Sequence, residues 1–232
     1  MNGIGTGLET RGAVDQRTSN GDDLAHPASR DPAVLKAALA EAWDDERPHV
    51  ERLTVTAAIL AAALQNEGMR ATLVGGGAVE FYVPGAYTTQ DIDFVVEGRS
   101  RSAIDAVFTS LGLLRQGRHW VRESLYVEVP DDYLSEPADE FGVGPLTLRV
   151  IRKEYILGER IVGFRWWRYY GHAEQALSMM AAFGAELDDA ALRAYLKTEQ
   201  AEHAYDLLRR FMGSGAPVTA QNLDVLWYEH YR

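Results

Sequence analysis

At 232 residues, with 47% hydrophobic and 25% charged side chains, the chain has the composition of a globular protein and length for one domain with an appended helical part. Its formal charge of −11 opposes broad attraction to a phosphate backbone, because sequence-independent affinity for nucleic acid comes from many Lys and Arg contacts. The absence of cysteine removes disulfides, thiolate zinc sites and thiol nucleophiles, and the six histidines show no HExxH-like spacing, so zinc hydrolysis is not expected.

Residues 1–29 are rich in Gly, Thr, Ser, Asn and Asp, with few large apolar groups to offset the entropy of ordering, and they read as a flexible tail. No basic start with an apolar block follows Met1, so no secretory signal is expected and a cytoplasmic location is favoured. Asp31-Pro32 supplies an N-cap followed by proline at the first helical position, predicting a helix to about Asp45. After Pro48, Leu53, Ala57, Leu60 and Leu64 mark the apolar stripe of a second helix, with Gly68 just past its end. The longest apolar run, residues 57–64, is far short of the roughly 20 residues a bilayer requires, so no membrane span is predicted.

A short buried strand over 71–74 enters Gly75-Gly76-Gly77, and a brief helix over 78–83 ends at Pro84-Gly85. Next come a strand over 91–96, a helix over 102–111, a hairpin of strands 119–122 and 125–129, and a strand over 146–151. From about Leu157 helical periodicity takes over, as in Ala173, Leu177, Met180 and Phe183, or Ala204, Leu208 and Phe211. The expected organisation is a tail over 1–29, a mixed α/β core over 30–155 and a helical region over 156–232.

Alternate residues of a strand share a face, so Asp91 and Asp93 project two carboxylates side by side while Ile92 and Phe94 face the core. Adjacent anions raise each other's pKa unless a cation neutralises them, and all-oxygen ligands suit magnesium. Glu128, on the polar face of its strand with Tyr126, is a third carboxylate able to converge on the same cations. Two ions about 3.5–4 Å apart would serve phosphoryl chemistry. Gly75 and Gly76 open a helix N-terminus without side chains, where backbone N–H groups can approach phosphate oxygens.

The run Leu73-Val74-Gly75-Gly76-Gly77-Ala78 followed by Thr89-Gln90-Asp91-Ile92-Asp93-Phe94 resembles the GGxA…TxDhDh signature of the polymerase-beta-like nucleotidyltransferase superfamily. Within it the chain is most similar to small bacterial abortive-infection (AbiEii-like) toxin-associated enzymes, a resemblance over roughly residues 50–212. That resemblance implies a minimal nucleotidyltransferase fold: a small mixed β-sheet flanked by helices (α/β, α+β) with C-terminal helices. It implies two Mg2+ ions, an NTP substrate and transfer of NMP to a hydroxyl of tRNA or protein, with toxin–antitoxin pairing a possible setting. Carried over, Gly75 and Gly76 hold the triphosphate and Asp91 and Asp93 hold metal. Glu128 matches the third acid, a metal ligand that also helps deprotonate the acceptor.

Other readings stay open. A small-molecule acceptor such as an aminoglycoside suits the overall acidity, and a catalytically silent nucleotide-binding module would keep the same residues. A metal-dependent glycosyltransferase would leave the glycine turn unexplained. Arg149, Arg152, Lys153, Arg160, Arg165 and Arg168 stand against only Glu154 and Glu159, a stretch that could meet a polyanion or be a solvated face. Within it, Arg152 or Lys153 is a candidate triphosphate contact, against a plain surface charge, and Arg160 and Arg165 are candidate phosphate contacts, against a surface ion pair with Glu159. Trp166, Trp167, Tyr169 and Tyr170 could stack a base but are expected in the core. His172 reads as a helix cap-region residue.

Overall fold

The computed structural model describes residues 31–43, 47–98 and 100–231; the tail expected over 1–29 lies outside them, as does Asp45. In chain order the elements are α1 (Pro32–Ala42), α2 (His49–Asn66), β1 (Arg70–Val74), α3 (Gly75–Tyr82), β2 (Asp91–Glu97), α4 (Arg101–Ser110), β3 (Leu114–Gln116), β4 (His119–Arg122), β5 (Leu125–Asp131), β6 (Ala138–Val143) and β7 (Leu146–Ile151). Helices follow: α5 (Lys153–Trp167), α6 (Tyr170–Phe183), α7 (Asp189–Thr198), α8 (Glu202–Ser214) and α9 (Ala220–Tyr231).

Local chemistry explains the element ends. Asp31 caps α1, its carboxylate accepting from the Ala33 N–H at 2.8 Å with Pro32 at the first position. The strands form one seven-stranded mixed sheet in the order β3-β4-β5-β2-β1-β7-β6. β2 runs antiparallel to β1 and parallel to β5, and β1 runs parallel to β7. The α2 stripe of Leu53, Ala57, Leu60 and Leu64 is fully buried, together with Leu73, Ile92, Phe94, Val127 and Val150 of the sheet. Each such leucine contributes about 1.5–3 kcal/mol by leaving water.

The fold is therefore the mixed α/β architecture expected, with two strands more than the sequence pattern reveals. β3 is exposed along its whole length, and β6 has no fully buried residue. Both are edge strands, so they lack the alternating apolar face on which a strand is recognised. A second difference is the glycine triplet, which forms the first turn of α3 rather than a loop before it. Among the described residues no helix is long and apolar enough to cross a membrane.

Beyond the sheet, α5 buries Ile156, Leu157, Ile161 and Phe164. The chain then turns at Arg168, whose φ of 51° is left-handed, and returns as α6. This turn overturns the expectation of a core position for three of the four aromatic residues, while Tyr170 packs against the core. Trp166, Trp167 and Tyr169 are 47%, 70% and 53% exposed at the end of α5 and the turn after it, with the Trp166 indole donating to the Glu199 carbonyl at 3.0 Å.

Candidate active site

β2 and β5 are adjacent and parallel, and their register pairs Asp91 with Tyr126 and Asp93 with Glu128. Two of the three predicted acids thus face each other across one strand pair, with Asp91 two residues along on the same face. β1 lies on the other side of β2 and pairs Val74 with Asp93. The next residue, Gly75, therefore arrives beside that carboxylate. Its φ is +64°, and a Cβ built there would stand 2.1 Å from Asp93 Oδ2. Both the left-handed backbone and the close approach exclude a side chain.

Gly76 is crowded on its other side: a Cβ would meet Tyr87 Cε1 at 2.9 Å and Thr89 Cβ at 3.5 Å. The loop carrying Tyr87 and Thr89 is anchored from two directions. His49 Nε2 donates to the Thr89 carbonyl at 2.7 Å, and the Thr89 hydroxyl accepts from the Asp91 N–H at 3.1 Å. Glu80 lies buried beneath the loop; burial pushes its carboxyl up, and hydrogen bonds from the Gly85 and Thr89 backbone oppose that.

The electrostatics are lopsided. Asp93 is pushed up to about 6, first by burial and then by the Glu128 and Asp91 carboxylates, with Arg160 and the Gly76 N–H opposing. Asp93 and Glu128 line a cavity of about 580 Å3 shared with Asp131, Glu136 and Glu159. Burial carries Glu159 up to about 7; Arg160 opposes the shift, while Glu136 and Asp93 add to it.

Arg160 is 9% exposed, and its Nη1 lies 2.9 Å from His172 Nε2. Burial lowers its pKa, with Glu159 and Asp93 opposing, so its charge reaches toward the acids. The expected Arg160–Glu159 surface pair does not form. Successive residues on a helix point apart, which sends Glu159 into the cavity and Arg160 into the α5–α6 interface. Lys153 sits two turns earlier, with Nζ 3.6 Å from Glu154 and 5.8 Å from the centre of the Phe183 ring, and does not line the cavity.

The basic stretch is occupied within the fold. Arg149 lies 3.5 Å from Glu97, Arg152 lies 2.8 Å from Asp139, and Arg168 pairs with Asp224. Arg165 stacks over Trp166 at 4.2 Å and Tyr231 at 3.9 Å. Three of its arginines are therefore matched by carboxylates, which reduces the positive charge the stretch can offer a polyanion.

Do the acids suit a divalent cation? Their donors are all hard oxygens, and Asp93 is raised first by burial and then by the carboxylates beside it, a repulsion that a cation would relieve. Glu128, however, is engaged by His119 at 3.2 Å and Arg118 at 3.4 Å. Among the described residues no three acidic or histidine side chains form a closed metal cage. A few carboxylate oxygens without a cage are the kind of donor set that magnesium takes together with water and substrate phosphates.

Sequence reasoning passed over Asp131, Glu136 and the cavity role of Glu159. The first two lie at and after the end of β5, where no periodicity marks a face.

No protein-family model matches the chain, and no curated protein matches it significantly. Among solved structures it is similar to the antibiotic-resistance factor ANT(2'')-Ia, at 16% identity over 68% of this chain and 97% of that one, with a TM-score of 0.47. It is also similar to an antigenic nucleotidyltransferase-like protein from Paracoccidioides brasiliensis, at 17% identity over 68% of this chain and 92% of that one, with a TM-score of 0.45.

Proposed function

We propose that this chain is a magnesium-dependent nucleotidyltransferase, moving NMP from an NTP to an acceptor hydroxyl and releasing pyrophosphate. One observation carries the reading: Asp93 stands in register with Glu128 and within touching distance of Gly75, where α3 begins. Carboxylates short of cation thus meet a helix N-terminus ready for anions, and NTP with Mg2+ supplies what each lacks.

Asp91 and Asp93 would hold the metal. When bound, Mg2+ neutralises phosphate charge and lowers the pKa of the attacking hydroxyl. The Gly75 N–H donates to a phosphate oxygen at the first turn of α3, where the helix dipole adds attraction, and the Gly76 N–H, which also bonds the Asp93 carboxylate, stands next to it. Arg160 faces the same region and draws the leaving pyrophosphate. Glu128, braced by His119 and Arg118, takes the acceptor proton as the new oxygen–phosphorus bond forms and the bond to pyrophosphate breaks.

RNA is the acceptor this surface suits least, since Arg149, Arg152 and Arg168 of the basic stretch already face carboxylates. A second reading of the acceptor is favoured by the cavity itself: acids at 131, 136 and 159 beside the reacting carboxylates suit a small hydroxyl compound bearing amines. A basic segment of a protein is the alternative. A cytoplasmic toxin restrained by an antitoxin would be the biological setting of the protein-acceptor case.

The test is incubation with each labelled NTP, Mg2+ and, separately, total RNA, cell protein and an aminoglycoside. Label on the aminoglycoside supports the small-acceptor reading, and label on RNA or protein replaces it. If no NTP binds with Mg2+ present, the enzyme reading is lost; binding without transfer to any pool leaves a nucleotide-binding module.

A further inference from the structure

Arg160 is an unusual buried cation, because its hydrogen-bond partner is uncharged. A guanidinium only donates, so His172 Nε2 must accept the 2.9 Å bond, which places the ring proton on Nδ1 and leaves the imidazole neutral. Burial, then the Arg160 charge, holds His172 down at about 4, in keeping with that tautomer. Glu159 and Asp93 act on Arg160 through space, without an ion pair among the described residues, and its buried Nε donates to nothing. The side chain is thus held in place by a group that does not cancel its charge. That is the arrangement an anion requires: a fixed fork with charge and a donor in reserve.

Seating the ring demands a hole in α5. A Cβ at Gly163 would lie 1.9 Å from His172 Nδ1 and 2.7 Å from Cε1. Glycine inside a helix costs stability relative to alanine, so its presence here serves the packing of that ring. Tyr169 closes the other side, edge-on to the imidazole with ring centres 4.7 Å apart.

We propose that His172 is a positioning residue for nucleotide binding: its imidazole, admitted by Gly163, aims the Arg160 guanidinium at the triphosphate. The inference rests on the nucleotidyltransferase reading, and it extends that reading to a residue that touches neither substrate nor metal. It predicts a specific signature. Loss of the acceptor on residue 172 weakens binding of NTP, whose outer phosphates Arg160 meets, and spares NMP, which lacks them.

The experiment compares His172→Gln and His172→Met, side chains of similar size of which only glutamine can accept from Arg160. NTP and NMP affinities are measured with Mg2+ alongside thermal melts. The methionine variant should lose about tenfold in NTP affinity, the size of a lost hydrogen bond to a charged group, with NMP affinity unchanged, while glutamine stays near wild type. Gly163→Ala, which displaces the ring and leaves both partners in the chain, should reproduce the methionine loss and stands in for it if that variant does not fold. A folded methionine or Gly163→Ala variant with wild-type NTP affinity, or equal losses for NTP and NMP, overturns the proposal. Wild-type protein that binds no NTP overturns the underlying reading instead, so the two failures are distinguishable.

Discussion

The two walls of the candidate site have opposite charge problems. On the sheet side, β2 and β5 gather Asp91, Asp93 and Glu128; Arg118 and His119 engage Glu128, while burial and then its two carboxylate neighbours push Asp93 up to about 6. On the helical side, α5 and α6 hold a buried guanidinium whose only hydrogen bond among the described residues is to a neutral imidazole. Asp93 and Arg160 each lack an ion-pair partner among the described residues, whereas elsewhere in the fold Asp105 pairs with Arg115 at 2.9 Å. The imbalance belongs to the site. A sheet wall seeking metal and a helical wall seeking phosphate together describe the surroundings of an NTP–metal complex.

The largest expected effect breaks the sheet wall. Asp93→Asn keeps size and removes charge, so transfer should fall by at least about a hundredfold, as when a charge-stabilising group is lost. The melting temperature without Mg2+ should hold or rise, because repulsion with Glu128 and Asp91 is relieved. Activity assays and thermal melts on the same preparation check both halves. An unfolded variant would make Asp93 a structural residue.

Next in size is Gly75→Ala, which forces a Cβ into a φ of +64° and onto Asp93 Oδ2. Backbone strain of this kind costs about 1–3 kcal/mol, and displacement of the carboxylate should remove transfer as well. Gly76→Ala is the contrast. Its Cβ meets the Tyr87 ring, which is partly exposed and can swing away, so its stability loss in denaturant titrations should be the smaller of the two.

How much of this was legible beforehand depends on what kind of pattern each feature leaves. Asp91, Asp93 and the glycines are close in sequence and bound to regular elements, so period-2 alternation and turn chemistry foretell their neighbourhood. Register is not foretold: that Asp93 rather than Asp91 stands opposite Glu128 follows from the β2–β5 pairing, a contact between distant segments. Edge strands β3 and β6 bury no apolar face and leave no alternation to read. Glu159 and Arg160 look like a surface pair to composition, and only the packing of α6 against α5 sends them to different places. The exposed Trp167 shows the converse error, since hydrophobicity alone says core and the left-handed turn at Arg168 says otherwise.

A smaller effect probes the seam between the walls. Glu159 is held up at about 7 in the folded chain from an ordinary 4.5. A carboxyl raised in this way favours the folded state while protonated, and that contribution is lost as pH climbs from about 4.5 to 7. Without ligand, stability should therefore fall across that window by up to about 2 kcal/mol, discounted for partial exposure. Glu159→Gln should flatten the fall in melts recorded from pH 4.5 to 7.5, and an unchanged slope would mean that Glu159 titrates normally.

The smallest expected effect separates the two cations that the sequence could not tell apart. Lys153 and Arg160 lie seven residues apart on α5, on the same face and roughly 10 Å along its axis. Arg160 reaches inward to His172 and the acids, whereas Lys153 pairs with Glu154 at the start of the helix. A partly exposed pair of that kind contributes about 0–1 kcal/mol, and its loss should not reach the cavity two turns away. Lys153→Ala should accordingly leave NTP affinity within about a factor of two, the effect of an ordinary surface substitution. Arg160→Ala should weaken NTP binding much more, since it removes the charge itself. Equal losses would show that the phosphate wall extends along α5 to its first turn, and the division between a metal-seeking sheet and a single phosphate-seeking arginine would have to be redrawn.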